Sequence, residues 1–207
     1  MTPAAPPALI LAGGRSSRMG RDKLLLPFGE DSFLGHIMRR LAPQVSGIAV
    51  NAPPGLPLPT GIEAIPDTLP GQPGPLAGVL AGLRDLAGKA GEQTHLLTVP
   101  SDAPFFPDDL CGRLQAALVD GKTVAVAASA GRMHPVFALW PLAVADDLEA
   151  WLGNPSHRRV SDFLARHRVE TVTWDMLQTP IGPLDPFMNV NAPADLQEAL
   201  RFLEVAR

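Results

Sequence analysis

Ala8-Leu9-Ile10-Leu11-Ala12-Gly13-Gly14 is a run of five apolar residues that stops at two glycines. A run this short, apolar at every position and closed by a turn signal, reads as a strand buried on both faces that hands the chain to a loop. The same reading applies to Gly47-Ile48-Ala49-Val50, which ends at Asn51, and to residues 94–99, which end in Pro100-Ser101-Asp102. A brief strand fits residues 62–65, and later ones fit 123–128, 135–140 and 169–174.

Helical spacing fills the intervals. Phe33, Leu34, Ile37 and Leu41 share one face of residues 32–41. Leu76, Val79, Leu80, Leu83 and Leu86 do so after Gly74-Pro75, where proline suits the first helical turn because its missing N–H has no partner there. Further helices are expected over 107–119, 143–152, 157–166 and 193–205, the last with Leu196, Ala199, Leu200 and Leu203 inward. Strands alternating with helices predict an α/β, Rossmann-like fold with a largely parallel central sheet covered on both faces. With no internal repeat and no linker, one domain over 1–207 is expected, with 1–7 a flexible N-terminus. Such a sheet takes its ligands outside the carboxyl ends of its strands. The polar features Gly13-Gly14, Asn51 and Asp102 all fall there.

Hydrophobic residues make up 46% of the 207 and charged residues 18%, a globular balance. The net charge of −4 gives no general attraction for polyanions, so no nucleic acid is expected as a partner, whereas a small phosphorylated ligand needs only a local basic patch. The single cysteine, Cys111, rules out an internal disulfide and points to a reducing compartment. It is read as inert core. There is no Cys/His cluster for zinc. The N-terminus carries no positive side chain and no signal-like apolar run. No stretch approaches the roughly 20 apolar residues of a membrane span, so a soluble, cytoplasmic protein with no membrane partner is expected.

After Gly14 come Arg15, Arg18, Arg21 and Lys23. Glycines let backbone N–H groups close on phosphate oxygens, and the cations supply charge. That favours a phosphate loop over a plain glycine turn with solvated arginines. It is not a Walker A loop, because Lys23 lies three residues past Gly20 and is followed by Leu24 rather than Ser or Thr. Nor is it G-x-G-x-x-G.

The whole pattern Leu11-Ala12-Gly13-Gly14, Ser17-Arg18-Met19-Gly20 and Asp22-Lys23 resembles the signature of the molybdenum-cofactor guanylyltransferase (MobA-like) nucleotidyltransferases. It is similar, more loosely, to sugar-phosphate nucleotidyltransferases and cytidylyltransferases. The resemblance implies that Leu11, Ala12, Gly13 and Gly14 meet the nucleotide, with Lys23 and Arg18 acting on its phosphates. Asp102-Ala103-Pro104-Phe105 matches the family segment whose aspartate carries the metal, implying Mg²⁺ on Asp102. Taken alone, Asp102 reads as a turn aspartate before Pro104. Asn51 and Asp67 match nucleotide-contacting positions, although Asn51 alone is also an ordinary turn residue.

Gly74-Pro75-Leu76-Ala77-Gly78 resembles the guanylyltransferases' Gly-Pro-Leu-x-Gly. Gly74, Gly78 and Gly82 recur at spacing four, and a helix-interior glycine costs about 0.5–1 kcal/mol, so something approaches closely: the base or a neighbouring strand. For Gly82 the strand is the better reading. Asn189-Val190-Asn191-Ala192-Pro193-Ala194-Asp195-Leu196 resembles the family ending, with Ala192 where threonine is usual. Asn191 then caps the last helix, and Asn189 is left for a polar role near metal or acceptor phosphate. Residues 131–136 and 158–164 also look like family segments. Arg158 and Arg159 have two equal readings, acceptor contact or the wet face of a helix. His134 reads as structural. Asp108 and Asp109 read as complements to a helix dipole. Residues 52–61 and 175–186 match nothing and read as variable loops.

The resemblance implies GMP transfer from GTP to Mo-molybdopterin with release of pyrophosphate. Transient contact with molybdenum-cofactor insertion proteins or acceptor molybdoenzymes is among the partnerships it allows. No Ser/His/Asp or Cys/His set suggesting a covalent intermediate is visible. A cytidylyl- or sugar-phosphate nucleotidyltransferase, and a non-catalytic nucleotide-binding carrier, remain as alternatives.

Overall fold

The computed structural model describes residues 4–12, 23–69, 74–89, 91, 93–154, 156–157 and 159–205, with Lys23 described by its backbone. In chain order these form β1 (Ala8–Leu11), β2 (Pro27–Phe28), β3 (Asp31–Ser32), α1 (Phe33–Leu41), β4 (Ile48–Asn51), β5 (Glu63–Ile65) and α2 (Pro75–Gly88). There follow β6 (His95–Pro100), α3 (Leu110–Ala116), β7 (Val124–Ser129), β8 (Arg132–Pro141), α4 (Ala145–Leu152) and α5 (Val160–Leu164). The chain continues through β9 (Val169–Trp174), β10 (Leu177–Thr179), β11 (Gly182–Leu184) and α6 (Pro193–Val205).

Among the described residues, a seven-stranded sheet runs β5-β4-β1-β6-β8-β7-β9. Its pairings are parallel except where β8 lies antiparallel to both β6 and β7. The sheet is therefore largely parallel, as the apolar runs predict. Alternate residues of each inner strand feed two separate cores. Ala8 and Ile10 of β1 pack with Leu97 and Val99 of β6, beneath α1, α3 and α6. Leu9, Leu11 and Leu96 pack on the other face, beneath α2, α4 and α5. This is why these strands are apolar throughout rather than alternating. The chain leaves β1 through α1 to reach β4 on one side, and returns through α2 to β6 on the other. The strand order thus reverses beside β1, which opens a crevice at the carboxyl ends of β1, β4 and β6.

Gly82 lies where the sequence places it, against strands. A Cβ there would meet Leu9 Cδ2 at 2.6 Å and Leu96 Cδ2 at 2.7 Å.

Several expectations need adjusting. Strand β8 is longer than residues 135–140 and is interrupted: Val126 of β7 faces Ala138, but Ala127 faces His134. Pro135 has no N–H to give to a ladder, so a proline inside a strand settles at such a bulge. Thr98 Oγ donates to the bulged Val136 carbonyl at 2.8 Å and accepts from buried Trp140 Nε1 at 2.9 Å. The helix expected over 107–119 is only α3, because Leu110 N–H closes a turn on the Pro107 carbonyl ahead of it. Helix α5 is likewise shorter than 157–166, since Asn154 turns the preceding chain by accepting from Ser156 N–H. Residues 175–186, read as a loop, contain the β10–β11 hairpin. The expected flexible N-terminus is tied from residue 4 onward: Gln115 donates to the Ala4 carbonyl, and the Pro6 and Pro7 carbonyls accept from Ser46 and Leu97.

Candidate functional site

The crevice edge is fixed by backbone bonds that extend the sheet past β1. Leu11 stands in register with Asn51 on one side and Pro100 on the other. The Leu11 carbonyl accepts from Ser101 N–H at 3.1 Å, and Ala12 N–H donates to the Asn51 carbonyl at 3.0 Å. The last residues before the glycines are thus locked between the two strands that carry Asn51 and Asp102. Ala12 N–H is already committed to the sheet, so the expectation that this backbone meets a ligand narrows to its remaining groups.

Asn51 is buried. Its Nδ2 donates to the Ile65 carbonyl at 3.0 Å and to Asp67 Oδ1 at 2.9 Å. Both hydrogens of the amide are used, and two acceptors fix its orientation, leaving only Oδ1 for other duties. Oδ1 lies over Gly78: a Cβ on that glycine would stand 2.3 Å from it and 2.8 Å from Leu11 Cδ2. The close approach that Gly78 permits is therefore to Asn51 and β1. Three residues proposed separately from the sequence form one unit, with Gly78 seating Asn51 and Asn51 holding Asp67.

Asp102, half-buried, follows β6 at the same edge. Its carbonyl accepts from Val190 N–H at 2.7 Å. That bond brings the exposed Asn189 alongside Asp102, although 87 residues separate them in the chain. Helix α1 and the 3-10 turn after it brace the segment after Asp102 from behind: His36 Nε2 donates to the Pro104 carbonyl at 3.0 Å, Arg40 Nε to Phe106, and Gln44 Nε2 to Pro107 at 3.1 Å. Burial lowers the pKa of His36 and outweighs the opposing effect of its bond to Pro104. Burial also lowers Arg40, against the attraction of Asp108. Asp108 pairs with Arg40 at 3.2 Å, and Asp109 accepts from Trp174 Nε1 at 2.8 Å, so both bind other elements rather than merely complementing a dipole. After Val190, Asp195 Oδ2 accepts from Asn191 N–H at 2.7 Å and Ala192 N–H at 2.9 Å. Asp195 thus supplies the reciprocal half of a capping box, and the helix start survives the absent threonine.

Ser129, His134 and Asp185 meet beside this segment, a set the sequence does not reveal. Ser129 Oγ lies 2.7 Å from His134 Nε2 and 2.7 Å from Asp185 Oδ1. A hydroxyl has one hydrogen, and the carboxylate can only accept it. His134 Nε2–H therefore donates to Ser129, which donates to Asp185. This is the reverse of a nucleophile arrangement, in which histidine takes the serine proton. Ser129 is also fully buried. Burial lowers the His134 pKa, with Asp185 opposing and Arg132 assisting. Asp185 Oδ1 accepts from Phe187 N–H as well, at 2.9 Å, and Phe187 packs on His134, Phe137 and Trp174 with ring centroids 4.7, 4.8 and 5.5 Å away. Arg113 covers Trp174 at 4.3 Å. The only sequence cue to this network is His134-Pro135 inside a strand, which marks the bulge.

Gly13, Gly14 and Arg18 lie outside the described residues, as does Arg158. Lys23 opens a 3-10 turn over Lys23–Leu25 that precedes β2. Arg159 is exposed at the start of α5. Cys111 is buried, and its thiol is pushed up to about 11 by desolvation.

Among the described residues, no three of His, Cys, Asp and Glu are grouped to enclose a metal. A single carboxylate at the sheet edge, on a residue whose carbonyl bonds the backbone next to Asn189, nevertheless suits Mg²⁺, which keeps several waters and is shared with substrate phosphates. Among the described residues no helix is long and apolar enough to cross a membrane.

The family model described as the MobA-like NTP transferase domain matches residues 8–171. The molybdenum cofactor guanylyltransferase of Sinorhizobium fredii is 54% identical over 95% of this chain and 91% of its own length. That of Rhizobium meliloti is 52% identical over 96% and 92%. Among solved structures, molybdopterin-guanine dinucleotide biosynthesis protein A from Archaeoglobus fulgidus superposes with a TM-score of 0.73. It covers 96% of this chain and 98% of its own at 19% identity, a likeness of fold.

Proposed function

The chain belongs to the MobA-like NTP transferase family, and on that premise we propose that it moves GMP from GTP onto Mo-molybdopterin, forming molybdopterin guanine dinucleotide and releasing pyrophosphate. Relatives sharing about half its residues carry the name of that activity. The observation of the site that best supports the reading is the bond from Val190 N–H to the Asp102 carbonyl, which ties the segment bearing Asn189 to the end of β6.

In this reading Asp102 would hold Mg²⁺, which would supply charge neutralisation at the phosphates. Lys23, Arg18 and the backbone of Leu11, Ala12, Gly13 and Gly14 grip the triphosphate. Asp67, held by Asn51 over Gly78, faces the nucleoside. Asn189 serves the metal or acceptor phosphate. The acceptor phosphate is already anionic at neutral pH and attacks the α-phosphorus without a general base, so the protein's contribution is placement and electrostatics. A cytoplasmic location agrees with the single buried thiol.

Pyrophosphate release with each nucleoside triphosphate in turn, in the presence of Mo-molybdopterin, tests the assignment. Release with GTP alone is expected. Release with CTP instead makes the chain a cytidylyltransferase, and none with any nucleotide leaves a carrier. Asp102→Asn is expected to abolish turnover with the fold intact, and retained Mg²⁺-dependent transfer would refute the metal assignment.

A further inference from the structure

The segment bearing Asn189 reaches Asp102 from the far side of the sheet, and what aims it there is a chain of hydrogen bonds. His134, placed by the Pro135 bulge, donates to Ser129 at the end of β7, and Ser129 donates to Asp185. Asp185 spends the same oxygen on Phe187 N–H, and its carbonyl accepts from Met188 N–H at 3.0 Å. A side-chain carboxylate bonded two residues ahead fixes a tight turn. This turn sends the chain back so that Val190 N–H closes on Asp102. The turn is therefore tied to a fully buried serine at one end and to Asp102, just past β6, at the other.

We propose that Asp185 is a positioning residue: held by Ser129 and His134, it sets Asn189 against Asp102 and thereby tunes the affinity of the site for the divalent cation shared with the nucleotide. The inference rests on the proposed reading of Asp102 and Asn189. In this reading Asp185 acts through Ser129, Phe187 and Met188, the groups it bonds. Direct hydrogen-bond partners of metal-site residues change metal affinity or activity by about 10–100-fold when removed, and Asp185, which bonds Phe187 and Met188 just ahead of Asn189, acts one step further back.

Three variants separate this role from general stabilisation. Asp185→Ala removes the turn and the tether. Asp185→Asn keeps an oxygen that accepts from Ser129 and Phe187. Ser129→Ala leaves the turn but cuts the tether. Mn²⁺ binding in the presence of GTP, followed by electron paramagnetic resonance, needs no acceptor and no turnover, and hydrogen exchange of the peptide over 186–191 reads the placement directly. For Asp185→Ala we expect Mn²⁺ affinity to fall about 10-fold, the low end for a direct partner, exchange to quicken and kcat to drop in step, with the KM for GTP within about twofold. Ser129→Ala should fall between it and the parent, and Asp185→Asn close to the parent. Parental Mn²⁺ affinity in Ser129→Ala and Asp185→Ala overturns the inference, as does Asp185→Asn behaving like the alanine variant. If Asp185→Ala does not fold, Ser129→Ala with parental exchange and affinity overturns it alone. Failure of the parent chain to transfer GMP overturns the functional reading instead, while the Mn²⁺·GTP comparison still decides the role of Asp185.

Discussion

Substituting Gly78 by alanine should be among the costliest single-methyl additions in this chain. The new Cβ would stand 2.3 Å from Asn51 Oδ1, well inside contact distance, so the carboxamide must leave its seat. Asn51 then loses its bonds to Ile65 and Asp67, at about 1 kcal/mol each. Crowding against Leu11 in a packed core adds about 1–2 kcal/mol. The better helix propensity of alanine returns at most about 1 kcal/mol. The net loss is about 3 kcal/mol, or roughly 6–12 °C in melting temperature for a domain of this size. Gly88→Ala is the control in the same helix, because nothing lies within 4 Å of its added Cβ, and it should be neutral or slightly stabilising. The diagnostic experiment is a double-mutant cycle by urea denaturation. In an Asn51→Ala background the carboxamide is gone and only the mobile end of Leu11 remains in the way. Gly78→Ala should there cost about 2 kcal/mol less than alone. Strict additivity, or a Gly78→Ala protein that melts at or above the parent temperature, would show that the glycine serves something other than the Asn51 seat.

Thr98→Val keeps the shape but leaves Trp140 Nε1 without its acceptor and the bulged carbonyl without its donor; a loss of about 2–3 kcal/mol in urea denaturation is expected, and an unshifted midpoint would contradict the account of the bulge. The Cys111 thiol, pushed up to about 11, holds only about one thiolate in a thousand near pH 8, so a thiol-reactive disulfide should label the native protein no faster than it unfolds. His36, His95 and His134 all titrate below their ordinary value of 6.5, chiefly through burial. Between the lowered and the ordinary value the unfolded chain binds more protons, so stability is present above 6.5 and is lost as the pH falls through the folded values. The urea midpoint should drop from about pH 7.5 to about pH 5.5 and His36→Gln should flatten the fall; a midpoint that rises on acidification has the wrong sign.

The sheet and its carboxyl edge were legible because burial on both faces leaves unbroken apolar runs, and because Asn51 and Asp102 sit directly at the ends of such runs. The roles of individual residues were less so. Gly78 was visible as a point of close approach, but what approaches it depends on β4 and α2 meeting in space, which no local pattern encodes. The reversal of β8 left no mark either, since a buried antiparallel strand is as apolar as its parallel neighbours. Ser129 and Asp185 are 56 residues apart, and their bond exists only because β9 returns the chain to the end of β7. The helix expected over 107–119 shrinks to α3 because Leu110 N–H closes a turn on Pro107, and Asp109, which reads as a dipole complement, has its side chain claimed by Trp174.

The contact between Trp174 and Phe187 has a practical use. The chain contains three tryptophans and no tyrosine, so its ultraviolet emission is indole light alone. Trp140 is sealed in the core, whereas Trp174 lies under a guanidinium and edge-on to the ring that leads into the Asn189 turn. Its brightness should change when that turn shifts, which gives a label-free optical signal for events beside Asp102 in stopped-flow experiments.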